Sequence, residues 1–204
     1  KKEKGLLNFL IRFETFYTAL QYLSFSLSGM TYMGVGRNLA YKRSLFFEEK
    51  GFTRHYHIAS GDDDLFVNNA AKKGSTNIII SSDSYTESIA KQSFTEWVSQ
   101  KRRHLTTGKL YKSKHKLLLS LLPAMLLIFY CTIICLFLFT DNIIFTTSLL
   151  IIKIISQLII YKKCMQKLGQ KNFLLISFFL EIFILIFIPI ITFTNIIKQP
   201  EQWR

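Results

Sequence analysis

Residues 117–139 read LLLSLLPAMLLIFYCTIICLFLF and contain no charged side chain over 23 positions. A helix rises about 1.5 Å per residue, so this segment is long enough to cross the roughly 30 Å of hydrocarbon in a bilayer. Residues 173–197 form another apolar run of 25 positions that contains Glu181, and residues 143–161 form a run of 19 that contains Lys153. The sequence therefore predicts an integral membrane protein rather than a soluble domain.

The charges divide the chain into two regions. Residues 1–116 carry 19 basic and 10 acidic side chains, whereas residues 117–204 carry 7 and 3. We expect residues 1–116 to be the C-terminal part of a water-facing domain and residues 117–204 to be a membrane region with two to three transmembrane helices. The chain begins Lys-Lys-Glu-Lys, without Met or a signal-peptide pattern, so we expect it to be a piece of a longer protein.

Basic residues flank the first two apolar runs and indicate their orientation. Because lysines concentrate on the cytoplasmic side, we expect the water-facing part in the cytoplasm and the helices in the cell (inner) membrane. The run at 173–197 contains Pro189 and either crosses or bends back, which leaves the side of the C-terminus open. Three cysteines show no ligand spacing for a metal site. The flanking lysines are Lys109, Lys112, Lys114, Lys116, Lys162, Lys163, Lys167 and Lys171, and the cysteines are Cys131, Cys135 and Cys164.

The residue pattern of the water-facing part predicts alternating helices and strands. Apolar periodicity and terminal signals favour helices at 5–27, 43–50, 62–73 and 94–107, and strands at 31–41 and 76–81. Ser60-Gly61-Asp62-Asp63 matches the Ser-x-x-Asp start of a helix. We therefore expect an α/β fold whose sheet has too few strands here and is completed outside this chain.

Gly34-Val35-Gly36 resembles the opening of a dinucleotide-binding fingerprint, but Leu39 occupies the position of the third glycine. This mismatch excludes a Rossmann site. Two interpretations stay open for the glycines. They either permit a tight turn near another backbone or line the site of an acceptor.

Asp62-Asp63-Asp64 is the most concentrated acidic segment of a basic region. At a helix start, each carboxylate is stabilised by roughly 0.3–1 kcal/mol through the helix dipole, which is a purely structural explanation. An EF-hand is excluded because the alternating ligands and the closing Glu are missing. The alternative is a carboxylate held rigidly in a cleft, where it takes a proton from a hydroxyl group.

A short helix near the membrane contains the sequence Trp97-Val-Ser-Gln-Lys-Arg-Arg-His104. Gln100 and Arg103 are three residues apart and so share a face, and a guanidinium group matches phosphate oxygens. The alternative is a polybasic surface attracted to anionic lipid, worth about 1 kcal/mol per basic residue, which we expect for residues 109–116. We expect no nucleic-acid partner, because lipid or a phosphorylated small molecule better explains basic charge beside a bilayer.

The order of these motifs resembles the C-terminal half of membrane-bound family 2 glycosyltransferases. The resemblance covers roughly residues 29–116 and rests on GMTYMGVGRNLAYKRSLFFEEKGF (29–52), SGDDDLFVNNAAKKG (60–74) and QKRRH (100–104), followed by membrane spans. It implies a partial glycosyltransferase A-type α/β fold.

The resemblance also assigns roles to single residues. In this family an acidic pair supplies the general base, and a glycine eleven residues after the aspartate of that pair ends the helix. Gly74 follows Asp63 by eleven residues, so the resemblance implies that Asp63 is the base. His104 replaces a tryptophan of the family motif, which favours transfer of a single sugar over processive synthesis. The implied catalytic residues are Asp63 and Asp62, and the implied substrate-binding residues are Gly36, Arg37, Asn38, Gln100, Arg103 and His104.

The activity that the resemblance implies is inverting transfer of a sugar from a nucleotide-sugar donor to a lipid-linked or glycan acceptor near the membrane. A divalent cation (Mg or Mn) would be held by residues that precede Lys1, so no metal ligand is expected here. The alternative is a non-catalytic membrane protein whose basic domain docks to anionic lipid or to a partner protein.

Overall fold

The computed structural model describes residues 5–197 except 57 and 59, and in that part of the chain the regular secondary structure is helical. Short 3₁₀ turns occur at Gly36–Asn38, Ser82–Ser84 and Gly108–Leu110. The α-helices are α1 (Leu6–Leu27), α2 (Arg43–Glu48), α3 (Asp64–Ala70), α4 (Phe94–Thr107), α5 (Ser113–Phe139), α6 (Ile143–Lys167) and α7 (Ser177–Ile197).

The predicted α/β fold is wrong, because the described residues form no strand and no sheet. Residues 31–41, which include the 3₁₀ turn Gly36–Asn38, and residues 76–81 were predicted as strands, and neither range forms one. The hydroxyl groups of Thr31 and Thr76 lie 2.6 Å apart, so the two segments meet through side chains. A strand needs a neighbouring backbone to receive its N–H and C=O groups, and neither segment has one among the described residues. A glycosyltransferase A-type fold is therefore not present in this part of the chain.

Two compact units make up the chain. The first combines Lys1–Lys116 with Pro189–Arg204, and the second is Leu117–Ile188. Phe66, Val67 and Ala70 of α3 form one buried apolar cluster of the first unit. Partly buried side chains packed against this cluster are Leu39, Leu45, Phe46, Phe52 and Ala71.

The predicted helices of the first unit differ in how well they match. The predictions for α1 and α4 are confirmed, and Ser93 accepts a hydrogen bond from the Glu96 amide at the start of α4. The third helix is shorter than the predicted 62–73. Its first residue is Asp64, and the N-cap is Asp63 rather than Ser60. An aspartate whose own carboxylate accepts from the next backbone N–H satisfies a free amide at the helix start without any help from the predicted serine.

Helix α6, most of α5 and the first part of α7 lie in the second unit, and all three helices have the length and apolar composition of membrane-spanning helices. Each matches one of the three apolar runs of the sequence. These three helices support the prediction of a membrane protein.

Candidate functional site

Asp63 is the centre of the candidate site, and backbone amides hold both of its carboxylate oxygens. The Gly36 N–H donates to Oδ2 over 2.7 Å, and the Asp64 N–H donates to Oδ1 over 2.7 Å. A Cβ atom at position 36 would stand 3.3 Å from Oδ2, so glycine permits this close approach. The half-buried carboxylate is thereby kept in one orientation, and each oxygen retains a lone pair for another donor.

His104 of α4 belongs to the same neighbourhood, because the charges of Asp63 and Asp64 act on its ring. Loss of water around the ring, followed by the positive charges of Lys101 and Arg103, lowers the pKa of His104 below its ordinary 6.5, and the two carboxylates oppose this change. Part of the His104 surface stays exposed, so water is lost from the packed side of the ring. The shift favours the uncharged form of the imidazole, which offers one donor and one acceptor.

Ser60 also lies at this site rather than at the helix start. Its hydroxyl oxygen is 3.4 Å from Nδ1 of His104. The residues that meet here come from three separate motifs of the sequence. The Gly36–Asp63 contact joins positions 27 apart, and the Ser60–His104 contact joins positions 44 apart.

The buried carboxylate of Asp64, next to Asp63 in sequence, accepts hydrogen bonds from two hydroxyl groups. Its side chain is 7% exposed, and Oδ2 accepts hydrogen bonds from the hydroxyl groups of Thr107 and, over 2.7 Å, of Tyr111. Burial, together with the negative charge of Asp64, raises the pKa of Tyr111. These bonds tie the start of α3 to the end of α4. Sequence reasoning missed them because the partners lie 43 and 47 residues away and have no motif in common with Asp64.

Asn68 joins three further segments of the first unit and is 1% exposed. Its Oδ1 accepts a hydrogen bond from the Lys112 N–H over 3.0 Å. Its Nδ2 donates to the carbonyl oxygen of Tyr32 over 2.8 Å and to Nδ1 of His115 over 3.0 Å. Since an amide N–H only donates, Nδ1 of His115 accepts, and the proton of that ring is on Nε2. Sequence reasoning had given His115 no role.

Arg37 and Asn38 point toward the segment 81–90 rather than toward Asp63. The Arg37 guanidinium donates to the hydroxyl of Ser88, and Asn38 Nδ2 donates to the Ser84 carbonyl over 2.9 Å. Both residues are exposed. Asp62, the other predicted catalytic residue, is exposed as well, with Asp63 taking the inward position.

Gln100 and Arg103 are less closely connected to the carboxylate. Within the described residues, no hydrogen bond or ion pair joins either of them to Asp63. Gln100 lies one helical turn before His104 and so on the same face of α4. The Nε atom of Arg103 is buried and has no hydrogen-bond partner in the described part of the chain.

The other faces of α4 are fixed by polar contacts. Arg102, which sequence reasoning left without a role, donates from Nε to Oδ1 of Asn195 over 2.9 Å, and Asn195 returns a bond to the Arg102 carbonyl over 2.8 Å. The Lys101 ammonium lies 2.6 Å from the buried Glu14 carboxylate of α1. These contacts hold the helix that carries His104 in a defined rotation.

No group of three or more His, Cys, Asp or Glu side chains within the described ranges is arranged to hold a metal ion. Comparisons of the chain with protein-family models, with curated proteins and with solved structures found no match. The resemblance to membrane-bound family 2 glycosyltransferases stays a prediction that rests on the motifs quoted above.

Proposed function

We propose that this chain is the acceptor-side part of a membrane-bound glycosyltransferase that moves one sugar, with inversion, from a nucleotide-sugar donor to a lipid-linked or glycan acceptor. One observation carries the proposal. The Asp63 carboxylate is held by the Gly36 amide and lies in the electrostatic range of His104, so three motifs that are distant in sequence converge on one carboxylate. A surface that only adhered to lipid would not need this convergence.

Asp63 acts as the general base in this proposal. As the acceptor hydroxyl oxygen bonds to the anomeric carbon, its proton passes to a carboxylate oxygen of Asp63, and the bond from that carbon to the phosphate oxygen breaks on the opposite face. The nucleoside diphosphate leaves with the electron pair. Holding the carboxylate in one orientation contributes to rate because the reacting groups need no further alignment.

Residues of α4 bind the substrates in this scheme. The neutral His104 ring and the Gln100 amide, one turn apart, hydrogen-bond the acceptor and the diphosphate. The Arg103 guanidinium, whose Nε has no partner in the described part of the chain, binds phosphate oxygens. A divalent cation would neutralise charge on the leaving diphosphate. The described residues do not fit such an ion, so we assign no step to it in this chain.

We further propose that the first unit faces the cytoplasm from the cell (inner) membrane. Lys109, Lys114 and Lys116 near the start of α5 are exposed, as are Lys163 and Lys167 near the end of α6. Exposed lysines at these helix ends favour a cytoplasmic position for both.

The same exposed lysines favour a second candidate function, in which the basic surface docks to anionic lipid without catalysis. Arg103→Ala distinguishes the two. In the enzyme, this change weakens binding of a nucleoside diphosphate such as UDP while binding to vesicles containing phosphatidylserine stays the same. In a docking module, the Arg103→Ala variant binds these vesicles less tightly, and neither the variant nor the unchanged protein binds the nucleotide.

The decisive experiment measures sugar transfer in membranes that contain the full-length protein. A panel of labelled UDP- and GDP-sugars is offered, and label in the lipid and glycan fractions is counted. Asp63→Asn should abolish transfer while the protein still inserts, whereas Asp83→Asn, a change at an exposed acidic residue, should leave transfer unchanged. Transfer by the Asp63→Asn variant at more than about a tenth of the normal rate would remove Asp63 from the role of base.

A further inference from the structure

A cluster of polar side chains lies inside the second unit, between the three apolar helices. The Lys153 ammonium of α6 forms an ion pair with Oε2 of Glu181 on α7 and donates to the Tyr130 hydroxyl of α5 at 2.8 Å and to Oε1 of Gln157 at 2.6 Å. Tyr130 donates to Oε2 of Glu181 over 2.9 Å, and Tyr161 donates to Oε1 over 3.4 Å. All three helices therefore contribute to one network.

The charged groups of this network are paired within it. The Lys153 ammonium has three donors and three oxygen partners, and each carboxylate oxygen of Glu181 has at least one donor. The ammonium also lies 5.2 Å from the ring centre of Tyr130 and 5.1 Å from that of Phe178. The side chains of Lys153 and Glu181 are only 15% and 7% exposed. The charges of Lys153 and Glu181 therefore compensate each other inside the second unit.

The depths of Tyr130 and Lys153 in the membrane agree. Tyr130 lies nine residues before the end of α5, and Lys153 lies ten residues after the start of α6. At about 1.5 Å per residue, both are about 15 Å from the turn that joins the two helices, near the middle of a roughly 30 Å hydrocarbon layer. At that depth water cannot solvate a charge, so an ionisable residue needs a partner from the protein.

We propose that Lys153, Glu181 and Tyr130 form a lock that joins α7 to the pair α5–α6, so that the three helices assemble in the membrane as one bundle. Without α7, the ammonium of Lys153 faces lipid, and without α6 the carboxylate of Glu181 does. Each charge therefore opposes the insertion of its own helix, and only the pair removes both obstacles. This inference is independent of the proposed enzymatic function.

The lock predicts an unusual pattern among variants. Removing one partner of a buried ion pair leaves the other charge without compensation, whereas replacing both with apolar residues of similar size is close to neutral. Lys153→Met and Glu181→Leu should each destabilise the bundle, and the double variant should regain stability. Lys162→Met, a change at an exposed lysine of α6, and Asp141→Asn, a change at the α5–α6 turn, serve as matched controls.

The test uses the full chain in lipid nanodiscs, with a specific protease site inserted between Gly169 and Gln170. After cleavage and transfer to mild detergent, the fraction of the α7 fragment that still copurifies with the remainder is followed over time, which gives its rate of release. The thermal midpoint of the uncleaved protein is measured as well. The intact chain, both controls and the double variant should retain the fragment. Each single variant should release it at least tenfold faster and melt at lower temperature.

Two results would overturn the lock. One is release from the single variants at the rate of the intact chain. The other is a double variant that loses as much stability as the sum of its two single changes, because this would mean that the side chains contribute separately and not as a pair.

Discussion

Thr107→Val tests whether the buried carboxylate of Asp64 holds the end of α4 against α3. Thr107 is 0% exposed, and its hydroxyl lies within hydrogen-bond distance of both the Asp64 carboxylate and the His104 carbonyl. Valine keeps the shape of the side chain and removes the donor. A hydrogen bond to a charged group contributes about 1.5–3 kcal/mol, and we expect the free energy of unfolding of the first unit to fall by about that amount.

The chain offers a matched control for this change. Thr106 bonds through its hydroxyl to the Arg103 carbonyl over 2.7 Å and is only half-buried. Thr106→Val therefore removes the same kind of bond along the helix but no bond to a carboxylate. We expect its effect to stay below about 1 kcal/mol, since neutral hydrogen bonds contribute about 0.5–1.5 kcal/mol and this one is partly exposed.

Unfolding by denaturant is followed through the fluorescence of Trp97, which is 0% exposed. The chain has two tryptophans, so the measurements use a Trp203→Phe background. A double-mutant cycle with Asp64→Asn isolates the pairwise term between Asp64 and Thr107. Equal losses for Thr107→Val and Thr106→Val, or a coupling near zero in the cycle, would refute the view that Asp64 fastens α4.

Two further outcomes follow from the site. Gly36→Ala should lower sugar transfer by up to about tenfold, because the new Cβ would stand 3.3 Å from Oδ2 of Asp63 and shift the base by a few tenths of an ångström. Gly108→Ala, where a Cβ would meet nothing within 4 Å, is the control in the same transfer assay. Because the pKa of His104 is lowered in the folded protein, the unfolded chain binds its proton more readily, so the free energy of unfolding should be highest above about pH 6.5 and fall as the pH drops through that value. The loss should be below about 1 kcal/mol, since His104 is partly exposed, and a denaturation series that keeps the same pH slope in His104→Gln would contradict this origin.

The local signals of the sequence were sufficient for α1 and α4 of the first unit, but they also predicted two strands that the described residues do not form. Apolar periodicity and the closing glycines located α1 and α4 to within one residue. The isoleucine-rich segment 76–81 has high strand propensity, yet Ile79 is 72% exposed and Ile80 39%. Strand propensity describes how well a residue fits a sheet surface, and it contains no information on whether a partner strand exists.

The candidate site was predictable in its residue types and less so in its contacts. Motif order singled out Gly36, Asp63 and His104, which do lie near one another. It gave equal weight to Gln100 and Arg103, for which the described residues show no bond to the carboxylate. It named Asp64 only as part of the acidic segment and did not predict its buried contacts, because they depend on partners more than 40 residues away. In water, each of these polar groups could have been solvated instead, so sequence alone does not decide which of them pair.

Contacts between charged side chains inside the membrane are easier to predict from sequence than polar contacts in water. Lys153 and Glu181 first appeared only as interruptions of two apolar runs, but opposite charges in hydrocarbon have no solvent alternative to each other. Counting residues from the α5–α6 turn places Tyr130 and Lys153 at equal depth, about 15 Å from it. Charge sign would thus have selected Glu181, the single acidic residue of the three apolar runs, as a partner of Lys153, and depth would have selected Tyr130. No comparable rule selects the Asp63 amide bond to Gly36. The physical difference is the medium, because lipid removes the competing partner that makes polar contacts in water hard to predict.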